Sequence, residues 1–238
     1  MHELAAPLLF VIRSDCETFA ALRAGLTGSG EPSRSKALAE LVSTIPPGLL
    51  DLSMVEADTY SLFEALMEGQ LADWYRTSGS RLGSPGNREK EPWGRPQDRN
   101  SGNPLVSSLN NIHDVLLKRH DPALYTRLEK LEIFPQIYGI RWLRLLFGRE
   151  FQFRETLMLW DAIFADSCPP SLCDQLVVSL LMALRDLLLR YDYQDAVQLL
   201  MKLPSNLSVH YCTLFALHLK DPLRFPKPTG LKYSNTNR

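Results

Sequence analysis

Five histidines (His2, His113, His120, His210 and His218) and four cysteines (Cys16, Cys168, Cys173 and Cys212) are the side chains in this 238-residue chain best suited to hold a metal or attack an electrophile. Helical zinc sites need ligands about one turn apart, as in H-E-x-x-H, and thiolate sites need close pairs such as C-x-x-C, because only then do the donors converge on one ion. Neither spacing occurs. His210 and Cys212 lie two residues apart, so on a helix they do not share a face. No G-x-S-x-G elbow presents a nucleophile, and no G-x-x-x-x-G-K-[ST] or G-x-G-x-x-G loop offers a phosphate cradle. The cysteines are too few and scattered for a disulfide framework and read as reduced, mostly buried thiols of a cytoplasmic protein. The sequence therefore predicts no catalytic residue, no metal site and no cofactor of its own.

The elements around these residues are helical. Tyr60, Phe63, Met67, Leu71 and Trp74 recur at steps of three and four, with Asp58 as the expected N-cap. Leu105, Leu109, Ile112 and Leu116 repeat the pattern after Pro104. Asp121-Pro122 reads as a cap with proline at the first helical position, opening a helix that carries Leu124, Leu128 and Leu131. Further helices are predicted over 137–147, 153–165, 172–190, 192–202 and 206–219, and the one at 172–190 is apolar around most of its circumference, which suits the middle of a bundle. No segment alternates as a strand does, so the fold class is all-α, a multi-helix bundle.

Two stretches interrupt this pattern. Residues 25–36 form a short Gly/Ser-rich segment expected to be a flexible loop. Residues 77–104, polar and rich in Gly and Pro, are expected to be a disordered insertion, with Trp93 as its one strongly apolar residue. Residues 223–238 read as a tail. With 26 basic and 27 acidic side chains the net charge is −1, which argues against nucleic acid or an anionic membrane as the main partner. No stretch supplies the ~20 uncharged apolar residues of a membrane span.

The segment IFPQIYGIRWLRLLFGREFQFRETLMLWDAIFAD, residues 133–166, carries the most information. It reads as two apolar helices joined by a GREFQF turn, with Gly148 suited to a helix C-terminus and Glu150 near the next N-terminus, where the helix dipole favours a carboxylate. Arg141 beside Trp142 and Asp161 beside Trp160 are charges in apolar settings, where burial requires pairing. Arg141 is expected to pair with Asp161 or Glu150 and fix the register of the two helices.

Arg141, Trp142, Leu146, Phe147, Arg149, Glu150 and Phe151, followed by Leu157, Leu159, Trp160, Asp161, Phe164 and Ala165, match the pattern R-W-x3-L-F-x-R-E-F…L-x-L-W-D-x-x-F-A. The segment thus resembles the C-terminal half of the TBC (Tre-2/Bub2/Cdc16) domain of Rab GTPase-activating proteins. The resemblance extends over nearly the whole chain outside the two interruptions and the last residues, so 1–222 is expected to be a partial TBC domain.

The resemblance also bears on the opening run. In the family a Y-x-Q motif leads into G-M-x-E and an apolar helix, and Met1 and Glu3 occupy the Met and Glu places. On that reading the chain starts two residues after the family's glutamine. The arginine motif, I-x-x-D-x-x-R, would lie further upstream. Neither motif occurs in the sequence, so the resemblance implies an N-terminally truncated form, not catalytic alone, whose first helix exposes an apolar face. The alternative is a non-catalytic helical module. The implied partners are a Rab small GTPase, a late-endosomal one on the finest resemblance, and retromer or another endosomal coat component. GTP and Mg²⁺ would belong to the Rab, and the chain would associate peripherally with endosomal membranes through its partners.

Overall fold

A computed structural model describes residues 2–26, 44, 46, 49–68, 70–75, 103–166, 169–229 and 232. Met1, Trp93, Cys168, residues 27–36 and residues 77–102 lie outside them. The described chain is helical, as expected, and falls into two compact units, Met1–Gly69 and Gln70–Arg238.

The first unit holds α1 (His2–Leu26), a 3₁₀ turn (Leu52–Met54) and α2 (Val55–Glu68). The opening run is helix straight through Pro7, although proline removes one backbone donor there. Ile12 and Cys16 pack with Val55, and Leu50 joins them. Leu9, Phe10 and Val11 stand 40–52% exposed, in line with the expected apolar face. The α2 reading needs correction. Asp51, not Asp58, caps the 3₁₀ turn by accepting from the Ser53 N–H at 2.9 Å, and Asp58 falls inside the first turn of the helix. The inward positions are Val55 and Thr59, while Tyr60 is exposed. The predicted single face is divided between two elements: α2 ends at Glu68, and Leu71 and Trp74, both buried, belong to α3 (Gln70–Tyr75) in the second unit.

In the second unit Asn103 caps α4 (Pro104–Asn111), so the helix begins at the last residue assigned to the insertion. It continues through a π-helical turn (Ile112–Leu117) into α5 (Lys118–His120). The wider turn shifts the register: Leu105, Leu109 and Ile112 are buried as predicted, but Leu117 takes the core place expected of Leu116. Asp121 caps α6 (Pro122–Lys130), accepting from the Leu124 N–H at 3.0 Å, and Arg185 donates to the same carboxylate at 2.6 Å.

The core helix is α9 (Pro169–Ala183), followed by the short α10 (Arg185–Leu188). Leu172, Cys173, Leu176, Val177, Val178, Leu180 and Leu181 are all buried, as a central helix requires. It packs along α12 (Val209–Lys220), where the Ser179 hydroxyl donates to the Cys212 carbonyl at 2.7 Å. Between them in sequence lies α11 (Tyr193–Met201), capped by Asp192. After Asp221 the chain leaves the helix and returns, with the Ser208 N–H donating to the Lys232 carbonyl at 2.9 Å.

Candidate functional site

The motif segment forms α7 (Gln136–Arg144), a turn, and α8 (Phe153–Ala165). At Gly139 the α7 backbone meets α4 so closely that an added Cβ would lie 2.3 Å from Leu109 Cδ2. At its other end α7 is held by α3: the Tyr75 hydroxyl donates to the Arg144 carbonyl, and Arg144 Nε donates to the Trp74 carbonyl at 3.2 Å.

The end of α7 is a Schellman arrangement. The Phe147 N–H reaches the Trp142 carbonyl (2.8 Å) and the Leu146 N–H reaches the Leu143 carbonyl (3.1 Å). The left-handed residues are Leu146 (φ 45°) and Phe147 (φ 61°), not Gly148, which was expected to supply that freedom. Both side chains are buried, so apolar burial offsets the ~1–3 kcal/mol of local strain that each position carries. The strained turn is also tied down, because the Trp160 indole N–H donates to the Leu146 carbonyl at 2.8 Å.

Of the two partners expected for Arg141, Glu150 is the one it takes. The guanidinium meets the carboxylate with two bonds, Nε to Oε1 at 2.7 Å and Nη2 to Oε2 at 2.8 Å. Nη2 also donates to the Met201 carbonyl at 2.7 Å, at the C-terminus of α11. Arg141 thus joins α7, the turn and α11. The Glu150 side chain is 2% exposed. Burial raises its pKa, and the opposing pull of Arg141 does not reverse that shift. The Trp142 indole faces the same carboxylate from outside hydrogen-bond geometry. Glu150 therefore does not serve the next helix's dipole; the Glu155 carboxylate accepts from the Gln152 N–H at 3.2 Å and starts α8 instead.

The remaining motif residues divide between core and surface. Trp142, Phe147 and Trp160 are buried and Phe151 is half-buried. Asp161 points outward with Phe153, Met158 and Phe164 on the exposed side of α8. Glu3 is half-buried and lies 3.8 Å from His2 Nε2. Cys16, Cys173 and Cys212 are buried free thiols. Chemically, the Arg141–Glu150 corner is a charge-neutral staple that offers no nucleophile and no open ligand position. Among the described residues, one group of side chains could share a cation: His113, Asp114 and Glu129, which no spacing rule flags because sixteen residues separate the histidine from the glutamate.

Residues 98–189 match the Rab-GTPase-TBC domain. The chain is 40% identical over 239 residues to TBC1 domain family member 5 of Homo sapiens, an alignment covering 98% of this chain and 28% of that protein. The Mus musculus member 5 is likewise 40% identical, covering 98% and 27%. The member 5 homolog B of Dictyostelium discoideum is 42% identical over 119 residues, 50% of this chain and 12% of that one. The chain thus spans under a third of the length of these curated relatives. Among solved structures, the Ypt/Rab-GAP domain of Gyp1p superposes with a TM-score of 0.57 at 18% identity, covering 92% of this chain and 56% of that one, and shares the all-α fold.

Proposed function

Because residues 98–189 belong to the Rab-GTPase-TBC domain family, we propose that the chain acts on Rab GTPases as the C-terminal helical part of a GTPase-activating domain. The observation that carries this reading is the family match over the segment whose Arg141–Glu150 corner locks α7, the turn and α11 together.

In this mechanism the chain's helices hold the Rab while the Rab's own site, with its GTP and Mg²⁺, performs hydrolysis. An arginine supplied in trans neutralises charge developing on the transferred phosphoryl and is worth about 10³–10⁵ in rate, roughly 4–7 kcal/mol of barrier. Residues 1–238 contain neither the arginine motif nor the glutamine motif of the family pattern. Alone, the chain binds Rab without completing that machinery. We extend the reading to a late-endosomal Rab and to retromer as partners, following the family resemblance. No helix among the described residues is long and apolar enough to cross a membrane; the endosomal association we propose is peripheral and runs through partners.

The test is single-turnover GTP hydrolysis by a panel of Rabs with and without residues 1–238, paired with binding to each Rab in its GTP form. The expected result is measurable binding to at least one Rab with hydrolysis at the intrinsic rate. Acceleration would overturn the non-catalytic part of the reading. Absence of binding across the panel would overturn the Rab assignment.

A further inference from the structure

We propose that His113, Asp114 and Glu129 form a site for a divalent transition-metal cation, with Zn²⁺ the ion their chemistry fits best, which staples α6 to the helix before it. His113 is 2% exposed, and its Nε2 lies 3.2 Å from Glu129 Oε1. One ligand atom from each of the three side chains lies within 4.8 Å of the other two. Around a tetrahedral ion with bonds of about 2.0–2.2 Å, donor atoms stand roughly 3.3–3.6 Å apart. The cluster is therefore within about an ångström of coordinating geometry. Glu129, at 32% side-chain exposure, has the freedom to close the remainder.

A hydrogen bond accounts for His113 and Glu129 but not for the approach of Asp114. Neighbouring residues on a regular α-helix diverge by about 100°. His113 and Asp114 sit in the π-helical turn Ile112–Leu117, where more residues share each turn and neighbours diverge less, and such turns recur at functional sites. Glu129 comes from α6, across the one-residue Asp121 turn, so an ion there would close a short helical hairpin. Tyr125 packs on the imidazole at a centroid distance of 5.1 Å, and Lys118 lies 5.2 Å from the Tyr125 ring centroid. One neutral imidazole and two carboxylates carry two negative charges, which a divalent cation balances, and the nitrogen–oxygen donor set without thiolate suits zinc. Three protein ligands leave a tetrahedral ion one further position, which water would take.

The test titrates ZnSO₄ alone into chelator-treated full chain by calorimetry, with thermal melts alongside. The expected result is one equivalent bound. At a hundredfold excess over Kd the melting temperature should rise by about 5–10 °C. Asp114→Asn and Glu129→Gln keep volume and hydrogen-bonding capacity while removing a charged ligand, and each should weaken binding at least ~10-fold. His113→Gln should abolish it, and the carboxylate variants keep the test valid if that one fails to fold. No saturable binding by the wild type would overturn the site. So would one equivalent that persists at unchanged affinity in Asp114→Asn and Glu129→Gln, because it would belong to other histidines.

Discussion

Replacing Arg141 with Met strips the buried Glu150 carboxylate of its counter-charge, and the cost of that change is set by pH. The Glu150 side chain is 2% exposed, so once unpaired it neutralises rather than staying charged. A carboxyl that ordinarily titrates at 4.5 costs about 3.4 kcal/mol to hold protonated at pH 7 and about 0.7 kcal/mol at pH 5, at 1.36 kcal/mol per pH unit. The lost bond to the Met201 carbonyl adds about 1 kcal/mol at either pH. Because burial already raises the wild-type carboxyl, part of that cost is present before the substitution. The expected destabilisation is up to ~4 kcal/mol at pH 7, comparable to breaking a buried pair, and up to ~2 kcal/mol at pH 5. The sign follows from linkage: a carboxyl whose folded pKa is raised contributes stability below its unfolded value, and that stability is lost as pH rises toward the folded one. The double variant Arg141→Met/Glu150→Leu buries no charge and should recover to within about 1–2 kcal/mol of wild type. The assay is urea denaturation of all four members of the cycle at both pH values. A pH-independent loss under ~0.5 kcal/mol for Arg141→Met would refute the argument, because water or the neighbouring Arg149, which also draws on this carboxylate, would then suffice to keep Glu150 charged.

Three further outcomes follow from other positions. Glu132 closes α6 at φ 55° with an exposed side chain, so Glu132→Gly should stabilise by about 0.5–1 kcal/mol in the same denaturation assay. At Gly139 a methyl group would overlap the fully buried Leu109, and Gly139→Ala should cost ~1–3 kcal/mol despite alanine's better helix propensity. Burial pushes the Asp174 carboxyl up to about 6, with only the Ser108 hydroxyl at 3.3 Å opposing it. Its contribution to stability, present below its ordinary value of 3.8, is lost as pH rises through about 6. Asp174→Asn should accordingly raise stability at pH 8 by ~1–3 kcal/mol and flatten the pH dependence between 4 and 7.

Helices set by long periodic runs were legible in the sequence. Helix α8 spans the predicted residues, the central position of α9 follows from its apolar circumference, and Asp121-Pro122 opens α6 where its cap chemistry says it should. Arg141 was readable as one half of a pair because an arginine in an apolar run demands one, but the choice between Glu150 and Asp161 depended on a turn geometry that no local rule encodes. That turn places Leu146 and Phe147, not Gly148, in left-handed conformations, since burial of two large side chains outweighs backbone preference. The same limit appears at Leu116 and Leu117, where one π-helical turn moves the core face by a residue. It appears again at Tyr60, where periodicity joined residues that fall in two helices of two different units. The His113, Asp114 and Glu129 cluster was invisible for a related reason: its convergence depends on that π-helical turn and on how α6 folds back.

The buried thiols give this molecule a built-in record of its own opening. Cys16 belongs to the first unit, Cys173 and Cys212 to the second. Burial raises the pKa of all three, that of Cys212 to about 12. Since alkylation needs an accessible thiolate, each cysteine reacts only during the fraction of time its surroundings are unfolded. Labelling at a fixed reagent concentration, resolved peptide by peptide, therefore yields one opening equilibrium from Cys16 and another from Cys173 and Cys212. Matching values would mean that the two units breathe together, whereas a faster Cys16 would give the first unit a life of its own.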